Sequence, residues 1–419
     1  MSYTRRGFLK ASLGASTLLS LSPTLPTFLS CSAYGAAPRR DVSETVLVVV
    51  QLTGGNDGLN TVVPYDDDEY ARNRPTLRLA PNEVHRIDSQ LGFHPEMQAF
   101  MNLYQEGRLI VIQGVGYPNS PGDHFEAMLN WHTARPGQIH CQTGWLGRAA
   151  DHACREGEVS VPAVFVGNIA QPFGLNAERA IVPSVGSVEE YTLRTMPGSE
   201  TAHRRQLLET AGLPRADIDN PFVDLLRRST LDAYASSERI EAAGHSVAPA
   251  AEYPPFQLAG RFRTIAHLIR ADLGIRIYYT ELGGGGFGGF DNHANQRDNH
   301  AALLRQLSKS IAALMGDLDR DRLLDRVLLM TFSEFGRTVK ENGRRGTDHG
   351  AAAPMFLAGG RLKGGLVGPH PSLTDLDGGG QRFHTDFRRV YATVLDRWLA
   401  FDSPAILGEK FEPLDVLEA

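Results

Sequence analysis

With 419 residues, 42% hydrophobic and 21% charged, the chain is long and apolar enough for one large α/β domain or two to three average ones. Its net charge of −6, with Lys and Arg dispersed rather than blocked, excludes the basic footprint of a nucleic-acid binder.

The N-terminus reads Thr4-Arg5-Arg6-Gly7-Phe8-Leu9-Lys10, followed over 11–29 by a weakly apolar segment broken by Pro23 and Pro26. Paired arginines, Phe-Leu-Lys, a modest hydrophobic stretch and small residues such as Ala33 and Gly35 form the pattern of a twin-arginine (Tat) export signal over 1–35. The stretch is too polar and too proline-interrupted for a membrane span. The expectation is a protein that folds first, passes to the Tat export machinery and reaches the periplasm or the exterior, with no transmembrane span in the mature chain. Losing Arg5, Arg6 and Lys10 with the signal takes the net charge near −9. Cys31 opens an alternative, because Phe28-Leu29-Ser30-Cys31 faintly resembles a lipoprotein box whose acylation would anchor the protein. Cys141 and Cys154 are candidates for a disulfide in an oxidising compartment, but their spacing does not say whether they meet. None of the three cysteines sits in a nucleophile's setting.

The first predicted strand is Val46-Leu47-Val48-Val49-Val50-Gln51-Leu52, a nearly unbroken apolar run that reads as buried on both faces. It stops at Thr53-Gly54-Gly55-Asn56-Asp57-Gly58, where two readings stand: ordinary turn chemistry, or a carboxylate at the strand end where α/β sheets place ligands. Residues 65–83 read as a surface loop. A helix over 95–106 leads through Gly107 to a second strand over 108–114, and a strand–helix–strand unit with short links favours a parallel sheet. The next loop, Gly116-Tyr117-Pro118-Asn119-Ser120-Pro121-Gly122-Asp123-His124-Phe125, is dense with polar groups and precedes a helix over 126–132. A strand over 161–166 follows a Cys- and Gly-containing connection.

Over 181–260 charged helical patterns replace the strands, which suggests a helical insertion or cap within a single domain spanning 44–400. The core resumes with a helix over 258–273 and a strand over 275–280, then glycines 283–286 and 288–289 lead into Phe290-Asp291-Asn292-His293. A helix over 299–318, with Asp298 and His300 at its opening, precedes the strand over 326–332. That strand ends in Ser333-Glu334-Phe335-Gly336-Arg337-Thr338. Gly346-Thr347-Asp348-His349-Gly350, a short strand over 355–357 and an amphipathic helix over 386–399 complete the domain, with 401–419 as a tail.

Asp57, Asp123 with His124, Asp291 with His293, and Glu334 all follow predicted strands, and Asp348 with His349 follows in a loop. In a parallel sheet such ends share one edge, so the groups can converge. Carboxylates and imidazoles without cysteine suit Zn²⁺, Mn²⁺, Mg²⁺, Ca²⁺ or Fe, one ion or two. Taken singly, His124 reads first as a loop hydrogen-bonding group, whereas His293 and His349 read equally as that or as ligands. Arg337 reads either as a clamp for an anionic oxygen pair or as a partner for nearby carboxylates.

Taken together, Arg5-Arg6, Gly54-Gly55-Asn56-Asp57-Gly58, Gly116-Tyr117-Pro118-Asn119 with His124-Phe125, Phe290-Asp291-Asn292-His293, Ser333-Glu334-Phe335-Gly336-Arg337-Thr338, Gly346-Thr347-Asp348-His349-Gly350 and Thr385-Asp386-Phe387-Arg388 resemble a family catalogued as a domain of unknown function (DUF1501). Its members are often Tat-exported, and it looks like a sulfatase-like branch of the alkaline phosphatase superfamily. The resemblance implies an α/β three-layer sandwich with a mostly parallel central sheet and a helical insertion. It also implies Asp57, Asp291, His293, Asp348 and His349 as ligands of a divalent metal, with Glu334 beside them. Two departures stand out. Glu334-Phe335 replaces the Asp-His of many relatives, against a full two-metal site. Asp123 stands where the family commonly has a Ser, leaving Asp123 or Ser120 as nucleophile or base, next to His124 and with Arg337 stabilising the anion. The implied activity is metal-dependent hydrolysis of phosphate or sulfate esters on a small anionic or polymeric substrate. The alternative is a degenerate, non-catalytic protein that retains metal and binds a partner at the cell envelope.

Overall fold

The computed structural model describes residues 45–138, 140–153, 161–180, 182–186, 252–283 and 289–418. The Tat-type signal, Cys31, Cys154 and most of the 181–260 insertion therefore lie outside the described residues, as does the proposed Cys141–Cys154 pairing.

The apolar run at the start becomes the spine of the sheet. β1 (Val46–Leu52) is buried along its whole length. It pairs in parallel with β5 (Ile277–Leu282) on one side and β6 (Val327–Phe332) on the other, so Val49 lies between Tyr279 and Met330. The other strands are β2 (Leu109–Gly116), β3 (Ala163–Val166), β4 (Ser184–Val185), β7 (Ala353–Gly359), β8 (Gly365–Val367) and β9 (Thr385–Asp386), and the spatial order is β8-β2-β7-β6-β1-β5-β3-β4 with β9 beside β2. Every pairing in the sheet is parallel except those of β7, which runs antiparallel to both β2 and β6. The sheet is therefore mixed and mostly parallel, as expected, with β7 as its antiparallel member.

Alternation along β1 defines the layers. Val46, Val48, Val50 and Leu52 face a core built with α2 (Gln98–Gln105), α5 (Gln257–Arg270) and α6 (Gln296–Arg320). Leu47 and Val49 face the opposite core, built with α3 (His124–Thr133), α4 (Trp145–Ala153) and α7 (Phe387–Ala392). Burying one such Val or Leu contributes about 1.5–3 kcal/mol, so a strand that feeds two cores at once anchors the three-layer sandwich. On α6, Leu304, Leu307, Ile311, Leu314 and Leu318 recur at helical spacing and are all buried.

Four local readings change. Residues 65–83 are more than a surface loop: they hold the short helix α1 (Asp68–Asn73), and Tyr70 and Arg74 there are fully buried. The connection after α3 contains α4, whose small Ala149 and Ala150 gave little periodic signal. The last amphipathic helix is α7 continued by a π-helical stretch, Thr393–Leu399. Finally, the segment read as a tail supplies Ile406, Leu407 and Val416 to the second core. Among the described residues, no helix is long and apolar enough to cross a membrane.

Candidate metal centre

The carboxyl ends of β1, β5 and β6 lie along one edge of the sheet, and the turns that follow them meet there. At the β1 turn, Gly54 and Gly55 have φ of 111° and 76°, a region that strongly favours glycine. A Cβ on Gly54 would stand 2.5 Å from the Asp291 amide, and one on Gly55 2.5 Å from the Phe335 ring. The two glycines thus let the three turns close on each other. β7 delivers its segment differently: because it is antiparallel, its N-terminal end is at this edge, and His349 arrives four residues before Ala353.

Asp291, half-exposed, is the point of convergence. His293 Nε2 lies 2.9 Å from Asp291 Oδ1, His349 Nε2 3.3 Å and His124 Nε2 3.4 Å. The ligand atoms of His124, Asp291 and His349 lie within 4.8 Å of one another, and His293 Nε2 stands 3.0 Å from His349 Nε2.

Each ring is held from behind through its other nitrogen. His124 Nδ1 is 2.9 Å from Glu334 Oε1, His293 Nδ1 is 3.1 Å from Asp348 Oδ1, and His349 Nδ1 is 2.7 Å from the Gly122 carbonyl. Carbonyls and carboxylates only accept, so Nδ1 carries the proton in all three rings, and in the neutral form each Nε2 presents a lone pair inward. With all three rings neutral, three lone pairs face one carboxylate oxygen, an arrangement that a proton on one Nε2 or a bound cation relieves. The pattern of oxygen acceptor, imidazole and converging Nε2 atoms is how proteins orient metal-binding histidines. The residues therefore fit a divalent metal, with His124, His293, His349 and Asp291 as the donors. Phe335 lies beneath His124 and His349, with ring centroids 4.9 Å and 4.6 Å away.

Charges around the cluster are arranged to match. Burial pushes the Asp291 carboxyl up, but the Arg337 guanidinium, 2.7 Å away, outweighs it and brings the group down to about 2. The Glu334 hydrogen bond holds His124 above its ordinary range. Asp348 is held below the usual carboxylate range by the Asn342 amide and by His293.

Several residues expected as ligands or catalysts take other roles. Glu334 is fully buried and accepts from the Gly54 amide at 2.8 Å as well as from His124, so it orients a ring instead of facing the cluster. Asp348 orients His293 in the same way. Asp57 is set apart: Arg74 binds both of its oxygens, at 2.5 and 2.9 Å, and Gln296 donates to one of them. Burial raises Asp57, yet Arg74 keeps it below its usual range. Arg337 is equally committed. It donates to Gly55 O at 2.7 Å, Thr347 O at 3.2 Å, Phe290 O at 3.1 Å, Gly54 O and Asp291, which leaves it a stitch between loops and no clamp for substrate. Asp123 is the N-cap of α3, accepting from the Glu126 amide at 3.0 Å. Ser120 lies half-buried earlier in that loop, and none of the cluster's hydrogen bonds or ion pairs given above involves it.

A family model described as "Protein of unknown function (DUF1501)" matches residues 44–376. The chain belongs to that family. No curated protein matches the sequence. Among solved structures, this DUF1501 member is similar to the C-terminal periplasmic domain of EcEptC from Escherichia coli in complex with Zn, at 10% identity, 77% of this chain, 75% of that chain and a TM-score of 0.35. It is similar to a mutant of TAB5 alkaline phosphatase with Mg bound, at 10% identity, 76% of this chain, 92% of that chain and a TM-score of 0.35. It is also similar to the PsFucS1 sulfatase from Pseudoalteromonas sp., at 10% identity, 89% of this chain, 71% of that chain and a TM-score of 0.37. Likenesses at that level leave the chemistry to be read from this chain's own residues.

Proposed function

We propose that this DUF1501 protein is a metal-dependent hydrolase of phosphate or sulfate esters, exported by the Tat route to the periplasm or the exterior. The observation that carries the reading is the inward convergence of three Nδ1-tethered imidazoles on the ionised Asp291. Three nitrogens and one carboxylate oxygen suit Zn²⁺ or Mn²⁺ better than Mg²⁺ or Ca²⁺, which prefer oxygen. One convergence point argues for one ion, and Phe335, in place of a histidine, offers no donor for a second.

When bound, such an ion supplies positive charge for an anionic ester oxygen and acidifies a water. The chain's own groups do the rest. Glu334, Asp348 and Gly122 O fix the tautomers, Arg337 keeps Asp291 ionised, and the half-exposed face of Asp291 keeps the cluster open to solvent and substrate.

A second reading has its own support: a non-catalytic protein that retains metal and binds a partner at the envelope. Asp123 is spent as a helix cap and Arg337 is spent on backbone carbonyls, so neither is placed to attack or to hold an ester. The two readings separate on one experiment. Protein purified in native form is assayed for metal content and then for turnover of aryl phosphates and aryl sulfates, before and after chelation. Stoichiometric metal with chelator-sensitive turnover supports the hydrolase, metal without turnover supports the binding protein, and no metal defeats both.

A further inference from the structure

A cavity of about 530 Å³ opens beside the cluster, and His124, Asp291 and Glu334 form part of its own wall. The rest of that wall is unlike a site for a sugar or an inorganic anion. Phe125, Met128 and Leu129 line it from the first turns of α3, at the spacing that puts three side chains on one helix face. Phe173 closes it from the turn Phe173–Leu175, and Gly54, Gly283 and Gly289 contribute backbone without side chains. Phe125 is 89% exposed, the one large hydrophobic in that state among the described residues.

Polar groups on this wall are few and mostly committed. Gln51 Oε1 is taken by His132 Nε2 at 3.0 Å and by the Tyr279 hydroxyl. Gln51 Nε2 donates to Thr53 Oγ1 at 2.9 Å, so the Thr53 hydroxyl keeps its proton for an acceptor in the cavity. Burial drives His132 down to about 3, which leaves it neutral. A sugar would meet too few partners for its hydroxyls here, and each polar group buried without one costs binding energy. An aryl or branched alkyl group instead gains by leaving water, and the volume falls within the range that encloses small organic ligands.

Resting on the hydrolase reading, we propose that the cavity binds the apolar alcohol portion of the substrate, so that the substrates are monoesters of aryl or bulky alkyl alcohols with the phosphate or sulfate group at the His/Asp cluster. In the reaction, water adds to phosphorus or sulfur, the bond to the alcohol oxygen breaks, and that oxygen leaves with a proton from the water. The products are inorganic phosphate or sulfate and the free alcohol.

The test uses native, metal-replete protein. Turnover of 1-naphthyl phosphate and 1-naphthyl sulfate is compared with that of methyl phosphate and methyl sulfate, and binding of 1-naphthol is measured by its fluorescence. The expected result is a preference for the naphthyl esters of at least about tenfold in kcat/KM, the scale of burying a few ring carbons. Phe125→Ser and Leu129→Asn should shrink that preference and weaken 1-naphthol binding in parallel, with Phe125 exposed enough that folding is not at stake. Equal turnover of methyl and naphthyl esters would overturn the cavity assignment and leave the hydrolase reading standing. Turnover of neither, together with 1-naphthol binding that Phe125→Ser abolishes, would retain the apolar site and defeat the hydrolase reading. Failure of 1-naphthol to bind at all would overturn the assignment outright.

Discussion

Glu334 Oε1 lies 2.9 Å from His124 Nδ1 and 2.8 Å from the Gly54 amide, so one buried carboxylate joins the end of β6 to the end of β1 and to the start of α3. Replacing it by Gln keeps the volume but removes the charge and sets an amide N–H in competition for the acceptor position. The Nδ1 proton of His124 is then no longer enforced. Loss of such an orienting partner typically costs 10–100-fold in metal affinity, so Glu334→Gln should lose about that factor. Competition with a chromophoric chelator measures it, and circular dichroism should be unchanged. An unaltered affinity would mean that His124 does not bind the metal through Nε2.

The Asp57–Arg74 pair is a structural matter. Arg74 also donates to the Val339 and Thr338 carbonyls, each at 3.0 Å, while Gln296 links Asp57 to Thr347. This network fixes the start of the loop that ends in Asp348-His349. Breaking a buried pair by removing one partner costs about 3–5 kcal/mol, and Asp57→Ala should lose that much in urea unfolding. The folded fraction should still hold metal at wild-type stoichiometry. Metal loss at unchanged stability would return Asp57 to the ligand set.

Asp123 should behave as a cap. Asp123→Ala is expected to cost about 1 kcal/mol of stability, and Asp123→Ser to recover most of it, because a Ser hydroxyl accepts from the same amide. Thermal melts of the two variants check this. A loss of turnover in Asp123→Ser far beyond any change in stability would restore Asp123 as a nucleophile or base.

These three residues show what the sequence carried and what it did not. The strand over 46–52 and the helices over 95–106 and 299–318 were legible because their apolar periods are local and strong. The meeting of Asp291, His293, His349 and His124 was legible as a shared sheet edge. Which of two adjacent polar residues would face inward was not legible, because it turns on partners outside the local pattern: Glu334 answers to Gly54 and His124, more than two hundred positions away, and Asp57 answers to Arg74, 17 positions on in a segment whose charges read as surface. The direction of β7 was also hidden, since a short apolar strand reads the same either way.

Four histidines outside the cluster set the acid limit. Burial brings His132 and His300 down to about 3, and His94 and His370 to about 4. Each is neutral when folded and takes a proton near pH 6.5 when unfolded, so the unfolded chain binds more protons between those values. Stability therefore rises with pH across that window: it is fully present above about 6.5 and drains as the pH falls toward 3–4, with a slope approaching about four protons. Urea midpoints between pH 7.5 and 4.5 measure it. His300→Gln should flatten the slope by about one proton, although losing the bond to Asn56 Oδ1, 3.0 Å from His300 Nε2, will lower stability at every pH.

A ligand that binds only the folded state stabilises it by RT ln(1 + [L]/Kd), about 4 kcal/mol at a thousandfold excess over Kd. Chelated protein should therefore melt several degrees lower, and Zn²⁺ should restore the melting temperature in a concentration-dependent way. In His349→Ala the Nε2 donor is gone while Asp291, His293 and His124 keep their tethers, so the melt should lose most of its dependence on added Zn²⁺ without a large drop in the chelated state. Asp348→Asn should show an intermediate dependence, because the ring it orients stays in place with a weaker hold. If all three proteins respond to Zn²⁺ alike, the ion binds elsewhere and the convergence on Asp291 is a hydrogen-bonded loop junction.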